Sequence, residues 1–414
     1  MTPAQLSIAF FLQVALILMA CRVVGGLARR WLGQPRVVGE MIAGVLLGPS
    51  LFGAVAPEIQ SFLFPPESKA LLFVIAQFGV GLYMFLVGLG FDRAEFRASV
   101  RGAAFVSFAG MAAPFLAAAA LAPWMIDMGG LFAPQVTRTE ASLFLGAAIA
   151  ITAFPMLARI IHERGLSGST LGTLSLSAGA IGDAGAWAVI ALVLASFGGG
   201  AHLAWLAIGG GSAFALVMIF IAPRLLAGLE GKLEAWGEET VLGIVLVLYL
   251  LSGWAMDFVG IHAVFGGFLL GTAMPRGTLS QMVKERLEPV AVVLFLPFFF
   301  TYSGLHTQLS ILADPTLLQV SLAVLAVSIL SKGGASYLAA RLSGQDNASS
   351  LAIGALMNAR GLMELIVINI GLQRGIIGAE LFSILVLMAI VTTLMASPLF
   401  EMVYGRAARK DGRL

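Results

Sequence analysis

Four ionisable side chains sit inside stretches that are otherwise almost wholly apolar. Asp183 is the single acid in LSLSAGAIGDAGAWAVIALVLA, residues 174–195; the nearest acids are Glu163 before it and Glu230 after it. Lys332 lies in AVSILSKGGASYLAAR, and Arg360 and Glu364 lie in GALMNARGLMELIVINIG. A charge at the centre of a bilayer costs at least about 2.5–3.5 kcal/mol, so such residues mark function by default. A lone carboxylate can hold a proton or a cation but not both together, which is the chemistry of a proton-coupled carrier. Arg360 and Glu364 are spaced i, i+4 and can pair along one helix face, a mainly structural role. Lys332 has two readings: a counter-charge to exposed helix-dipole ends, or a partner and competitor for Asp183.

The elements that position these residues must be membrane helices. Of 414 residues, 59% are hydrophobic and 11% are charged, against about 25% charged in a soluble domain. A net charge of +2 says nothing about nucleic acid, since the basic residues matter by position; no nucleic-acid partner is expected. The lone Cys21 excludes an intrachain disulfide, and His162, His202, His262 and His306 have no metal-ligand spacing. No phosphate loop, dinucleotide fingerprint or nucleophile elbow is present, so no cofactor is expected, and no second catalytic group is spaced for an enzyme around Asp183. In MTPAQLSIAFFLQVALILMACRVVGGLARR the positive charge follows the apolar run, which predicts a retained helix and not a cleaved signal.

A ruler of roughly 20 apolar residues per crossing predicts thirteen spans, approximately 6–27, 36–52, 70–91, 99–122, 140–162, 170–197, 202–227, 238–257, 261–275, 287–306, 316–342, 349–373 and 380–403. One set of alternate loops and the C-terminus carry Arg29, Arg30 and Arg36; Arg93, Arg97 and Arg101; Arg159 and Arg164; Arg224 and Lys232; Arg276, Lys284 and Arg286; Arg341; and Arg406, Arg409, Lys410 and Arg413. The other set carries Lys69, Arg138 and Arg374. The positive-inside rule then predicts an N-terminus outside and a C-terminus in the cytoplasm. With no targeting segment, a bacterial plasma membrane fits, with 404–414 a short cytoplasmic tail.

Two spans look broken. AAIAITAFPMLARII, residues 147–161, carries Pro155, and LMNARGLMEL, residues 356–365, carries Asn358, Arg360 and Gly361. Unwound backbone at this depth is tolerated only under protein or in a watered cavity, where half-helix ends flank an ion site. The chain also echoes itself. AGVLLGP (43–49) resembles GGFLLGTAMP (266–275), and MFLVGL (84–89) resembles FTYSGL (300–305). The partners are seven spans apart, as are the broken spans, so one copy is upside down. Six spans, a linker and six inverted spans make a transporter architecture; chance likeness of Gly/Leu runs is the competing reading. Glu40, in VVGEMIAG, reads as a structural or mouth residue, and His162-Glu163-Arg164 as a solvated helix end.

The strings QPRVVGEMIAGVLLGPS, MFLVGLGFD, ITAFPMLARII, the Asp183 helix and MNARGLMELIVINIG resemble the monovalent cation/proton antiporter-2 family over about residues 5–403. That family includes bacterial potassium efflux systems and plant CHX-type exchangers. The resemblance implies an all-α polytopic protein with the sodium/proton antiporter-like fold and two crossed, interrupted helices at the ion site. It implies a homodimer through a panel of spans one to three and eight to ten, with a core of spans four to six and eleven to thirteen moving like an elevator. Asp183 matches the family's ion- and proton-binding aspartate, Lys332 its facing basic residue and Thr152 the polar position at the first crossing. Ser177 and Asn358 are further oxygen ligands for a monovalent cation. Arg360, Glu364 and Lys332 compensate charge. The chain departs from the family at Gly182, where relatives carry an acid or Asn before the aspartate. One carboxylate favours one-for-one electroneutral exchange, although a Lys332 able to lose its proton would carry a second. The nucleotide-binding domain of the potassium efflux members is not seen after span thirteen. The expected function is K+ or Na+ exchange for protons; the rivals are an organic-solute transporter of the same architecture and a cation channel.

Overall fold

The computed structural model describes residues 3–405 apart from 33, 35, 92, 167–168, 195–205, 261–262 and 306–308. The apolar runs fold as helices, and the β pairing seen among the described residues is one isolated bridge, Phe132 with Ile377. In chain order the helices are α1 (Pro3–Leu32), α2 (Arg36–Leu47), α3 (Phe52–Val55), α4 (Pro57–Leu63), α5 (Pro66–Leu89), α6 (Arg93–Asp127), α7 (Arg138–Ala150), α8 (Phe154–Glu163) and α9 (Thr170–Leu194). The second half continues with α10 (Gly211–Glu230), α11 (Leu233–Trp236), α12 (Glu238–Phe258), α13 (Ala263–Ala273), α14 (Thr278–Val290) and α15 (Leu296–Gly304). It closes with α16 (Pro315–Leu342), α17 (Asn347–Leu356), α18 (Leu362–Gln373) and α19 (Ala379–Phe400).

Eight helices among the described residues are long and apolar enough to cross a membrane. The chain is thus a multi-pass membrane protein. The length criterion returns eight and not the thirteen expected from the sequence, in part because the broken spans 140–162 and 349–373 are split into shorter pieces, α7/α8 and α17/α18. Two helical regions fall where loops were expected. The short α3 and α4 occupy the connection after span two. α14, with the charged run QMVKERLEP, leads into α15 through a π stretch. A hydropathy ruler passes over both.

Local signals account for the ends. Thr137 and Glu140 form a capping box at the start of α7. Asp314 and Asp346 cap α16 and α17, each accepting from two backbone N–H groups. After α16, Gly344 adopts φ +89°, a left-handed stop that a side chain would resist.

The closest packing joins helices through glycine. Gly44 of α2 and Gly48, just after its end, meet the backbone of Phe300 and Gly304 in α15, and a Cβ on either would collide with those carbonyls. Gly267 and Gly271 of α13 meet Gly81 and Phe85 in α5 in the same manner. The two halves of the echoed sequence therefore pack crosswise, AGVLLG on FTYSGL and GGFLLG on MFLVGL. Small residues let membrane helices approach closely where no hydrophobic drive exists.

Among the remaining helices, ties occur at both ends. At one end Gly378 N–H donates to Leu131 (2.9 Å) and Ala133 N–H to Ile376 (3.1 Å). At the other, Arg164 pairs with Glu401 and donates to Ser397.

Candidate functional site

Residue 155 has no N–H to offer the carbonyl of Ile151, and its ring crowds that same carbonyl four residues back. The chain accordingly leaves the helix at Ile151 (φ −69°, ψ 133°) and re-enters at Phe154. The break therefore precedes Pro155, which becomes the second residue of α8, where a proline is tolerated. In the partner span the helix stops at Leu356 and restarts at Leu362, with Met357 to Gly361 between. No proline acts there.

The two breaks cross. The Ala153 N–H donates to the Ala359 carbonyl (3.1 Å), and the Thr152 hydroxyl reaches the Met357 carbonyl (3.4 Å). Gly361 permits the approach, since a Cβ there would stand 3.1 Å from that of Ala153. Asn358 donates from Nδ2 to Gly354 (3.0 Å), and its Oδ1 has no hydrogen-bond partner among the described residues. Thr152 and Asn358 are each 2% exposed.

Both buried cations bind the end of α7. Arg360 donates to the carbonyls of Ala148 (3.2 Å) and Ile149 (2.7 Å) and to the Ser328 hydroxyl. Lys332 donates to the Ala150 carbonyl and approaches that of Gly110 (3.4 Å). These are the last carbonyls of a helix, unsatisfied within it and carrying its partial negative charge. Lys332 belongs to a π stretch, Ile329–Gly333, inside α16; such an insertion turns a side chain off the regular helical stripe. Glu364, in the first turn of α18, lies 3.5 Å from Arg360, both side chains fully buried. That separation leaves the two Glu364 oxygens without a hydrogen-bond partner among the described residues.

The structure thus gathers Thr152, Asn358, Lys332, Arg360 and Glu364 at one crossing. Ser177 is buried (1% exposed) on α9. Asp183 lies on α9, one turn beyond Gly179; a Cβ at Gly179 would stand 2.9 Å from Leu157 and 3.3 Å from Phe154 of α8. The Asp183 side chain lies outside the described residues, as do those of His162 and Glu163 and the whole of His202, His262 and His306. Glu40 is buried on α2, away from the crossing, with its carbonyl near Cys21. Sequence reading missed Thr393 and Ser328. Thr393 accepts from the Arg360 N–H (2.9 Å) and donates to Ala389 (2.7 Å), fixing the second break to α19. Its only signal was a Thr-Thr pair inside an apolar span.

A model of the transmembrane sodium/hydrogen exchanger domain matches residues 10–403. The chain belongs to the sodium/hydrogen exchanger family. A Na(+)/H(+) antiporter of a Synechocystis strain, NhaS4, is 34% identical over 95% of this chain and 96% of its own length. The K(+)/H(+) antiporter 1 of Saccharomyces cerevisiae is 30% identical over 97% of this chain, which spans about half of that protein (47%). The solved sodium proton antiporter MjNhaP1 of Methanocaldococcus jannaschii superposes with a TM-score of 0.68 over 98% of this chain and 99% of its own, at 14% identity. That likeness establishes the exchanger fold. The broken-helix crossing is therefore a feature of an exchanger-family member.

Proposed function

We propose that the protein is a secondary monovalent cation/proton antiporter with Asp183 as the shared seat for cation and proton. The crossing carries this reading. Two cationic side chains bind the carbonyl end of α7, while the Thr152 hydroxyl, the Asn358 Oδ1 and the carbonyls of the second break lie at the same crossing. A cation on Asp183 completes its oxygen shell from Thr152, Ser177, Asn358 and main-chain oxygens, and binding a proton expels it. Lys332, Arg360 and Glu364 balance the charge.

The crosswise packing of the two echoed glycine motifs supports a six-one-six inverted repeat. It also supports a rigid panel of α1–α5 and α12–α15, through which two copies pair. The ties at both ends of α6–α9 and α16–α19 support a separate core. Between them runs an apolar seam, Met41, Val45 and Phe300 facing Leu365, Ala389 and Ile390, which suits elevator sliding. The Arg-rich loops support a cytoplasmic C-terminus. With Gly182 before Asp183 there is one exchangeable carboxylate, favouring electroneutral exchange; a strong dependence of rate on a valinomycin-clamped potential would sink that stoichiometry.

Purified protein and its Asp183→Asn variant, in liposomes holding a pH dye, test the reading. Addition of K+, Na+, Li+ or Rb+ outside should drive proton efflux in the parent and none in the variant, and it ranks the ions. Unchanged exchange in the variant removes Asp183 from the centre. Conductance without proton movement favours a channel, and silence in both an organic-solute carrier.

A further inference from the structure

Serine and threonine inside a helix ordinarily turn the hydroxyl back to a carbonyl of their own preceding turn. Ser321 does so to Leu317 (2.7 Å), Ser343 to Ala339 (2.8 Å) and Thr392 to Met388 (2.8 Å). Four serines of α6, α9 and α16 have no hydrogen-bond partner for the hydroxyl among the described residues; Ser331 is only half-buried, and the other three are fully buried. Ser107 on α6, Ser175 on α9 and Ser336 on α16 are 2%, 0% and 0% exposed, and none of their hydroxyls has a hydrogen-bond partner among the described residues. A buried hydroxyl left without a partner costs roughly 1–3 kcal/mol, so three along one seam call for a ligand.

Their placement is ordered. The Ser107 Oγ lies 3.1 Å from where a Cβ on Gly182 of α9 would stand, beside residue 183. The Ser336 Oγ lies 2.8 Å from a Cβ on Gly110 of α6, and the Gly110 carbonyl faces the Lys332 ammonium at 3.4 Å. Glycine at 110 and 182 lets each hydroxyl approach the facing helix closely. Ser336 is one turn from Lys332, about 6 Å along the axis, and Ser175 is two turns from Gly182, about 10 Å. Further along, Ser343 comes within 3.5 Å of a Cβ on Gly102, near the exposed Arg101 and Arg341. The hydroxyls are thus spread from the charged centre towards the ends of α6 and α16 that carry Arg101 and Arg341. This line runs within the core, apart from the panel–core seam.

We propose that Ser107, Ser175 and Ser336 hold a file of ordered water that carries protons between Lys332 and the Arg-rich face, separate from the route taken by the cation. Ser336 and Ser107, about one turn apart, are bridged by one water, and the longer gap to Ser175 takes about two or three, each a donor and an acceptor; a polar site of this kind is where buried water resides. The inference rests on the antiport reading.

Two measurements on the full chain test it. In liposomes, Ser107→Ala/Ser336→Ala should lower the maximal proton-coupled exchange rate by about tenfold, equivalent to one displaced hydrogen-bonded step. The half-saturating cation concentration should stay at the parent value. Ser321→Ala, which removes a back-bonded hydroxyl of α16, should keep the full rate. A double variant that exchanges at the parent rate, or one whose cation half-saturation moves with the rate, overturns the path. Independently of exchange, a high-resolution map of the parent should show water within about 3.2 Å of the Ser107 and Ser336 Oγ atoms. A dry seam in a protein that exchanges overturns the proposal alone. A wet seam in a protein that does not exchange overturns antiport and leaves the hydration standing.

Discussion

Replacing Arg360 by Gln separates two roles that share one side chain. The guanidinium makes hydrogen bonds to Ala148 (3.2 Å) and Ile149 (2.7 Å) and a looser ion pair with Glu364 (3.5 Å). Gln is too short to reach both carbonyls. Two charged hydrogen bonds at about 1.5 kcal/mol each account for about 3 kcal/mol. Removing one partner of a buried pair adds about 3–5 kcal/mol, because Glu364 loses its direct ion-pair partner and keeps only the more distant charge of Lys332. The single variant should therefore lose about 6–8 kcal/mol, and Arg360→Gln/Glu364→Gln only about half of that. The double variant should be the more stable of the two, which is the opposite of additivity. Thermal unfolding in lipid-supplemented detergent, read as the monodisperse fraction of parent, both singles and the double, gives the order. If Glu364→Gln destabilises the Arg360→Gln background by as much as it does the parent, the two groups are not coupled. The charge balance drawn around the crossing is then wrong.

Gly44→Ala and Gly271→Ala force a Cβ into a facing carbonyl and should each lower stability by about 1–3 kcal/mol. Gly26→Ala, with nothing within 4 Å of its Cβ, should be neutral or slightly stabilising; equal effects at all three positions in a thermal melt would discard the glycine contacts. A hydrogen bond from the Ser349 side chain, with further ones from the N–H groups of Ser349 and Ala348, holds the Asp346 carboxyl below its ordinary range against the opposing effect of burial. A depressed native value contributes stability above the unfolded value that is lost as pH falls through the native one. Asp346→Ala should cost about 1 kcal/mol near neutrality, and the gap from the parent should close below the ordinary Asp range; a gap constant with pH contradicts the cap. If one carboxylate serves both ions, the apparent cation KM should rise about tenfold per pH unit on the acid side. A flat KM across the active range rejects the shared seat.

Much of this site was legible because charge in an apolar run is conspicuous. Lys332, Arg360, Glu364 and both breaks stand out on that ground alone. The partners of those charges were not legible. Main-chain carbonyls at 148–150 carry no letter in a sequence, and Ser328 and Thr393 look like ordinary helix-interior hydroxyls until a neighbouring helix presents Arg360. The π stretch that aims Lys332 has no composition signal either. The position of the first break illustrates the limit. Pro155 announces a disruption, but its missing donor acts four residues back, so the unwound segment is Ile151 to Ala153. In the fold, α14 went unseen because its charged run QMVKERLEP hides it from a ruler built on hydropathy.

The oxygens that meet at the crossing come in good part from the main chain: Met357 and Ala359 carbonyls on one strand, Ala148 to Ala150 on the other. A point substitution can remove a hydroxyl or a carboxylate, but it cannot delete a peptide carbonyl. The frame is therefore inherited as topology and the side chains as detail. Lineages that retain the crossing are free to retune their preferred ion through the few residues around it. Proteins about 30% identical to this chain can then bear sodium in one name and potassium in another while sharing a single architecture.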